Sequence, residues 1–352
     1  MRIVHFDGVL RTLGFPGQRV LALPGWRRPR IFIPAGSMSG LWRASALYPA
    51  SRWSARLNRL LLRVRAAVWP ARIFLTPPGA SPLTNFLGDA APGVRNVAII
   101  VGTPGPRQKF TVALWDEAWE PIGYLKYGET DVAKARIRNE FKVLGELPDG
   151  LAPRPVKFGP LGKGVALLAT PVEGHHVSPS LPPNQLVLPY QKLLPECAPS
   201  ISVDRHPWTR AFMDRANRET LPLLPCVDAL SRRTWAVVFQ HGDFAPWNLL
   251  CGRDGSLRAV DWEHGTADGF PHADLAYYII QVGTLIYRWK PERALGWGVR
   301  YLSSQPALGL SPAEAEALVR LTAWHAYRQG LEDQDPPDSP LQSWRRALWG
   351  TV

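Results

Sequence analysis

The sequence predicts an α+β fold in which strands and helices are segregated along the chain. Apolar runs of strand length at 97–101 (VAIIV), 111–115 (TVALW), 122–127 and 165–169 gather in the middle of the chain. Helical periodicity with interleaved tryptophans and tyrosines fills 205–230 and 275–301. The 352 residues exceed one average domain, and 46% apolar content is ample for a packed core.

Charge divides the chain more sharply than hydrophobicity does. Residues 1–88 hold thirteen arginines, no lysine and one acid, Asp7, which matches the whole net charge of +12. Within this extension 51–74 reads as a helix with a serine N-cap candidate at Ser51 and an interruption near Pro70. Arg52, Arg56, Arg59 and Arg63 rise on one face, while Trp53, Leu57, Leu60, Leu61 and Val64 occupy much of the rest. Such a helix has three roles open to it, weighed in this order: packing its apolar side on the neighbouring strands, lying on an anionic membrane or glycolipid surface, and meeting a nucleic-acid backbone. Arginine outnumbers lysine thirty-three to eight, which is a matter of residue choice; it does not explain the missing acids.

The strands at 97–101 and 111–115 are joined by GTPGPRQKF. There Gly102 and Gly105 let a backbone approach a phosphate, whereas Pro104 and Pro106 remove amide donors. A phosphate-covering turn and a plain hairpin loop fit it equally. The next strand, 122–127, carries Lys126, and 131–147 then reads as a helix whose apolar face is Ala133, Ile137, Phe141 and Leu144. Glu140, three after Ile137 and four before Leu144, sits on that inward face. An unpaired buried carboxylate is costly, and Lys126 on the preceding strand is its natural partner. After the strand at 165–169 comes a turn at 171–174. His175 and His176 are expected as loop residues rather than metal ligands, because no cysteine or carboxylate stands at ligand spacing.

HGDFAPWNLL at 241–250, with VDWE at 260–263, carries the chemistry. Asp243 and Asn248 have the aspartate-to-asparagine spacing of the catalytic loop H-R-D-x-x-x-x-N, with Gly242 in place of arginine. Phosphoryl transfer asks for a carboxylate that receives a hydroxyl proton and for oxygen ligands that hold Mg²⁺ against nucleotide phosphates. Short strands at 249–251 and 257–260 flank the turn signal Asp254-Gly255. A turn centred there sets Asn248 opposite Asp261, with Cβ atoms about 4.5–5.5 Å apart. A longer loop through Gly252 and Ser256 shifts that register by a residue.

H-G-D-F-x-P-x-N-L-L, V-D-W-E and H-A-D-L-A at 272–276, in this order, closely resemble the aminoglycoside and choline kinase-like phosphotransferases, which have a bilobal protein-kinase-like fold. The resemblance implies Asp243 as catalytic base, Asn248 and Asp261 as Mg²⁺ ligands, His241 as brace of the catalytic loop and Asp274 as its support from the following helix. It implies that Lys126 and Glu140 orient the α- and β-phosphates of ATP, with Gly102 and Gly105 in the covering turn. Glu173-Gly174 matches the acidic residue and glycine of the hinge that holds adenine. The chain then divides into the extension 1–88, a nucleotide-binding lobe and hinge 89–174, and a catalytic and acceptor-binding lobe 175–352.

The implied reaction is phosphorylation of a small-molecule hydroxyl by Mg-ATP. A polycationic aminoglycoside calls for an acidic pocket, yet 175–352 nets only minus one. A sugar or saccharide-containing acceptor is therefore preferred, with an aminoglycoside or choline-like amino alcohol as the alternative. Protein-kinase activity is disfavoured, since no A-P-E element follows Asp261. The competing class, a non-catalytic kinase-fold module on anionic membrane or nucleic acid, predicts lost metal ligands, and none is missing.

Farther on, Ser311-Pro312-Ala313-Glu314 has the form of a capping box. Glu332, Asp333, Asp335 and Asp338 read as a solvated loop. Cys197, Cys226 and Cys251 are scattered without C-x-x-C, against a disulfide framework or zinc site. Neither a leader pattern nor a long apolar span is visible, so the expectation is a cytoplasmic protein, peripheral at most to the inner membrane face.

Overall fold

The computed structural model describes residues 6–23, 29–35, 42–44, 73–76, 79–182 and 196–350. It forms two compact units, Met1–Phe141 with Pro153–Pro171, and Lys142–Ala152 with Val172–Val352. No helix among the described residues is long and apolar enough to cross a membrane.

The first unit is built on an antiparallel sheet. Its strands are β1 (Arg19–Leu23), β2 (Ile31–Pro34), β3 (Ile73–Leu75), β4 (Asn96–Val101), β5 (Lys109–Trp115), β6 (Pro121–Gly128), β7 (Pro155–Leu161) and β8 (Gly164–Ala169), in the order β3-β1-β2-β4-β5-β6-β8-β7. Side chains alternate between faces with period two. Val97, Ile99 and Val101 of β4 join Val112 and Leu114 of β5 in one core, covered by helices α1 (Phe6–Leu13) and α2 (Pro82–Leu87). Ala98, Ala113 and Trp115 join Leu21, Ile31 and Ile33 in a second core on the other face.

Two expectations change here. The boundary at 88/89 does not part the sheet, because β2 pairs with β4 (Ile31↔Ile100, Phe32↔Ile99) and both strands feed the same cores. Strand β4 is apolar on both faces, and such a strand is stable only when its edge is paired. The helix expected over 51–74 lies outside the described residues up to 72; 73–75 are strand β3, paired with 19–21 of β1.

Helix α3 (Asp131–Glu146) confirms the helix after β6 but shifts its inward face. Ala133, Ile137, Glu140 and Leu144 are buried, whereas Phe141 is 39% exposed and stacks on Phe158 at 4.7 Å. At 3.6 residues per turn Phe141 falls about 80° from Ala133, while 140 and 144 fall within about 20° of it.

The second unit holds two small antiparallel sheets among helices. Strands β10 (Glu196–Ile201), β11 (Trp235–Gln240) and β14 (Thr266–Gly269) form one; β9 (His175–His176), β12 (Leu249–Cys251) and β13 (Leu257–Ala259) form the other. The paired histidines are therefore a short exposed strand rather than a loop. Helices α4 (Pro207–Met213), α5 (Leu224–Leu230), α6 (Ala273–Gln281), α7 (Pro291–Ser303), α8 (Pro312–Glu332) and α9 (Pro340–Gly350) follow in order. Helix α8 begins at the expected capping box, where Ser311 N–H donates to Glu314 and Glu314 N–H to Ser311 Oγ. It is buried on several sides (Ala317, Leu318, Val319, Leu321, Ala323, Trp324), as suits a helix packed against α5, α6, α7 and α9.

Long helical readings break at prolines. Between α4 and α5 the chain turns at Asn217–Thr220 bonds and restarts at Pro225. After α6 a π-turn (Val282–Ile286) leads to Arg288 at φ +51, and Pro291 starts α7. The acidic stretch is not all solvated: Asp333 is 2% exposed at the end of α8, with Oδ2 3.4 Å from His264 Nε2. A carboxylate closing a helix needs such a partner once buried.

Candidate active site

Strand β11 delivers the chain to His241, and the next residues are held by α6 from below. In the first turn of α6, Asp274 accepts the His241 N–H at Oδ2 (2.7 Å) and the Gly242 N–H at Oδ1 (3.0 Å). Gly242 has φ +76, and a Cβ there would stand 2.5 Å from the His264 carbonyl oxygen, so glycine is required. The fully buried His241 ring accepts the Asp243 N–H at Nδ1 (3.2 Å) and places Nε2 2.9 Å from the Val260 carbonyl. A neutral ring protonated at Nε2 satisfies both contacts. The ring also packs on Trp262 at 4.6 Å.

Asp243 is half-buried with both oxygens engaged. Tyr277 donates its hydroxyl to Oδ1 (2.9 Å), and Asn248 donates Nδ2 to Oδ2 (3.0 Å) and to the Asp243 carbonyl (2.9 Å). Both bonds of Asn248 use its nitrogen, which leaves its amide oxygen on the opposite side.

The hairpin register differs from the symmetric expectation. Leu249 pairs with Ala259, Leu250 with Arg258 and Cys251 with Leu257, and Val260 N–H donates to the Asn248 carbonyl (2.9 Å). Asn248 thus faces Val260, and Asp261 lies one residue beyond. The cause is the longer loop, closed by Gly252 N–H to Ser256 O (2.9 Å). A one-residue slip turns a side chain to the other face of a strand. Asp261, however, leaves the extended path at φ +69, and its charge still acts on Asp243.

Electrostatics follow from this crowding. Asp243 is pushed up to about 6, first by burial and then by the Asp261 charge, against the hydrogen bonds of Tyr277 and Asn248 and the cation of Arg345. Asp274 is pushed up to about 7, chiefly by burial, with its two backbone bonds opposing and the Asp243 charge adding. Burial, then the Asp243 charge, raises Tyr277 well above its ordinary value. A carboxylate poised near neutrality suits general base work.

The donor set also fits one hard cation. Asp243 and Asp261 load the same space with negative charge, and Asn248 and Asp261 supply amide and carboxylate oxygens. Among the described residues no group of three or more His, Cys, Asp or Glu gathers as a ligand cluster. Two carboxylates and one amide oxygen are the kind of donor set a hard divalent cation such as Mg²⁺ takes, with waters and phosphates supplying the rest of its octahedron.

In the first unit, Lys126 Nζ on β6 lies 2.5 and 2.7 Å from the two oxygens of Glu140 on α3, and Glu140 is 3% exposed. The glycine turn closes on itself. Gly102 N–H donates to Lys109 O (2.8 Å), Gln108 N–H to Gly105 O (3.1 Å), and the Thr130 hydroxyl to Pro106 O. The Gly102 amide is therefore engaged in the hairpin rather than offered to a phosphate. A Cβ at Gly102 would meet the Lys109 oxygen at 2.4 Å, which explains the glycine structurally. Gly105 has φ +148 in the same turn. Glu173 accepts Arg258 Nη1 at its carbonyl (3.0 Å), and Gly174 packs against the Cys251 carbonyl, so this segment lies on the β12–β13 hairpin.

The second unit thus gathers His241, Asp243, Asn248, Asp261 and Asp274, and the first unit pairs Lys126 with Glu140. Sequence reasoning missed Tyr277, Trp262, Gln329 and Arg345. Tyr277 had a legible signal, one turn after Asp274 on the same helix face. Gln329, whose Nε2 donates to the Gly242 carbonyl (3.3 Å), and the buried Arg345 come from distant helices and had none.

No family model matches this sequence, and no curated protein matches it. Among solved structures it is similar to the Plasmodium vivax ethanolamine kinase, with 11% identity and a TM-score of 0.43, over 71% of this chain and 81% of that one. It is also similar to the bifunctional kinase-methyltransferase WbdD, with 17% identity and a TM-score of 0.31, over 69% of this chain and 47% of that one.

Proposed function

We propose that the protein is an ATP- and Mg²⁺-dependent phosphotransferase acting on a hydroxyl of a small molecule. The observation that carries this is the Asp243 carboxylate, oriented by Tyr277 and Asn248 and poised at about 6 beside Asp261. In the reaction the acceptor hydroxyl gives its proton to Asp243. Its oxygen forms a bond to the γ-phosphorus as the bond to the bridging oxygen breaks, and ADP leaves with that electron pair.

Residue roles follow. His241 and Asp274 hold the loop that presents Asp243. Asn248 and Asp261 would hold Mg²⁺, which when bound neutralises phosphate oxygens. Lys126, aimed by Glu140, would meet the α- and β-phosphates; of the nucleotide-side residues named by the resemblance, Gly105 and Glu173 stay candidates, whereas the Gly102 amide is taken up by Lys109.

For the acceptor, a sugar or saccharide-containing compound is our preferred class. A polycation would call for open acids, and of Glu332, Asp333, Asp335 and Asp338 the second is buried against His264. The buried cation Arg345 acts on Asp243, which disfavours a positively charged acceptor. An ATP-consumption screen over sugars, amino alcohols and aminoglycosides, run with wild type and Asp243→Asn, tests both statements. Equal turnover by the two proteins would sink the mechanism; turnover confined to aminoglycosides or amino alcohols would replace the acceptor class.

A further inference from the structure

The corner between α6 and α7 carries chemistry that phosphoryl transfer does not use. Arg288, Lys290, Arg293 and Arg300 are all exposed there, with Glu292 as the lone acid of 287–301. Among the described residues none of the four cations forms an ion pair. Arg293, Trp297 and Arg300, spaced four and three apart, share a face of α7.

An aromatic row runs through the same segment, with one of these cations, Arg293, over it. Tyr287 stacks on Trp289 at 5.1 Å, Trp289 meets Trp297 at 6.1 Å, and Trp297 stacks on Tyr301 at 4.9 Å. The row descends from Tyr287, 43% exposed, to Tyr301, 8% exposed. The Arg293 guanidinium lies over Trp289 at 4.8 Å. Backbone bonds pin the corner: Tyr287 N–H to Val282 O (3.0 Å), Trp289 N–H to Gly283 O (2.9 Å), and Trp344 Nε1–H to the Trp289 carbonyl (2.8 Å). Four cations are thus displayed on a rigid, partly apolar base.

We propose that this corner docks the protein on the anionic face of a phospholipid bilayer. Tyrosine and tryptophan beside lysine and arginine match the headgroup level, where ring bodies meet acyl boundary and polar tips meet water. Nucleic acid fits less well. Bases bind by stacking on free ring faces, and the tryptophan faces here are already covered by neighbouring rings and by Arg293. The surface lies wholly within the described residues of the second unit; it does not depend on the phosphotransferase reading.

The test is co-sedimentation of the full chain with vesicles of phosphatidylcholine alone or with phosphatidylglycerol added. Wild type is expected to bind only the anionic vesicles, and less as salt rises. Arg288→Glu/Lys290→Glu/Arg293→Glu is expected to weaken partitioning about a hundredfold, from roughly fivefold per cation near the surface. Its ATP turnover should stay at the wild-type value and its thermal midpoint within a few degrees of it, the exposed Arg293–Trp289 contact being a weak one; Lys290→Glu alone should give a partial loss. Arg52→Glu/Arg56→Glu/Arg59→Glu, in the extension, should leave most of the binding in place. The proposal is overturned if the corner variant partitions like wild type, if the extension variant alone abolishes binding, or if wild type binds single-stranded RNA but no vesicle. Absence of ATP turnover with intact vesicle binding would count against the phosphotransferase and leave the docking surface standing.

Discussion

The Tyr277 hydroxyl donates to Oδ1 of Asp243 at 2.9 Å, on the side of the carboxylate opposite the bond from Asn248. The candidate base is thereby fixed in orientation by two neutral donors from different elements, α6 and the loop itself. Tyr277→Phe keeps the buried ring and removes only the hydroxyl. We expect kcat to fall about tenfold with the nucleotide KM unchanged, the loss of one hydrogen bond to a charged group being worth roughly 1.5–3 kcal/mol. Steady-state kinetics with saturating ATP decide it, and a rise in KM with constant kcat would contradict the positioning role.

Asp243→Asn should lower kcat by about 10²- to 10⁴-fold, the usual range for a lost general base, while Mg-ATP still raises the thermal midpoint. Asp261→Ala should behave in the opposite way and abolish that nucleotide-dependent stabilisation. A thermal-shift titration on the two variants separates the roles.

The pH profile follows from Asp243 standing near 6. As a base it must be ionised, so kcat/KM should fall below about pH 6 and plateau above it. Tyr277→Phe removes a bond that favours the ionised form and should move this acid limb upward, by about one unit if the bond is worth 1.4 kcal/mol.

Stability carries its own pH signature. Asp274 and Asp243 are both raised in the folded chain, to about 7 and about 6, from an ordinary 3.8. Below the ordinary value both states are protonated. As pH climbs toward 7 the folded carboxylates must ionise at a cost the unfolded chain does not bear, so these two groups favour folding at the acid end and lose that contribution as pH rises. Urea unfolding at pH 5.5 and 8 should therefore show a steeper alkaline loss for wild type than for Asp274→Asn. Asp274→Ala strands two buried N–H groups and should cost roughly 2–6 kcal/mol at either pH.

Lys126→Ala leaves Glu140 buried without its ammonium partner and should destabilise the chain by about 3 kcal/mol, within the range for breaking a buried pair. Lys126→Met/Glu140→Leu should recover much of that stability yet not any nucleotide-dependent function. Denaturation and ATP kinetics on the two variants distinguish a structural pair from one that also serves phosphates.

Local patterning made some of this legible. Apolar alternation in VAIIV and TVALW announced two strands, Ser311 to Glu314 a capping box, and the helical spacing of Ile137, Glu140 and Leu144 an inward carboxylate seeking Lys126. Each depends on residues within about one or two turns of each other, where backbone geometry alone sets which side chains share a face. Reading failed where a small angular or register difference decides. Phe141 was one flank away from the buried stripe, and the 252–256 loop moved Asp261 one place out of line with Asn248.

By itself, then, the sequence determined the chemical identities at Asp243, Asn248, Asp261 and Asp274, the Lys126–Glu140 pair, and the segregation of strands from helices. The tertiary structure alone decided that 19–34 extend the sheet of 96–169, that Asp333 is buried, that Tyr277 and Gln329 bond the loop at 241–243, and that the charge of Arg345 reaches Asp243. The physical reason is range. Periodicity records neighbours along one element, whereas the field at Asp243 is summed over groups brought in from α6, α9 and the hairpin, and only packing places those charges and donors around it.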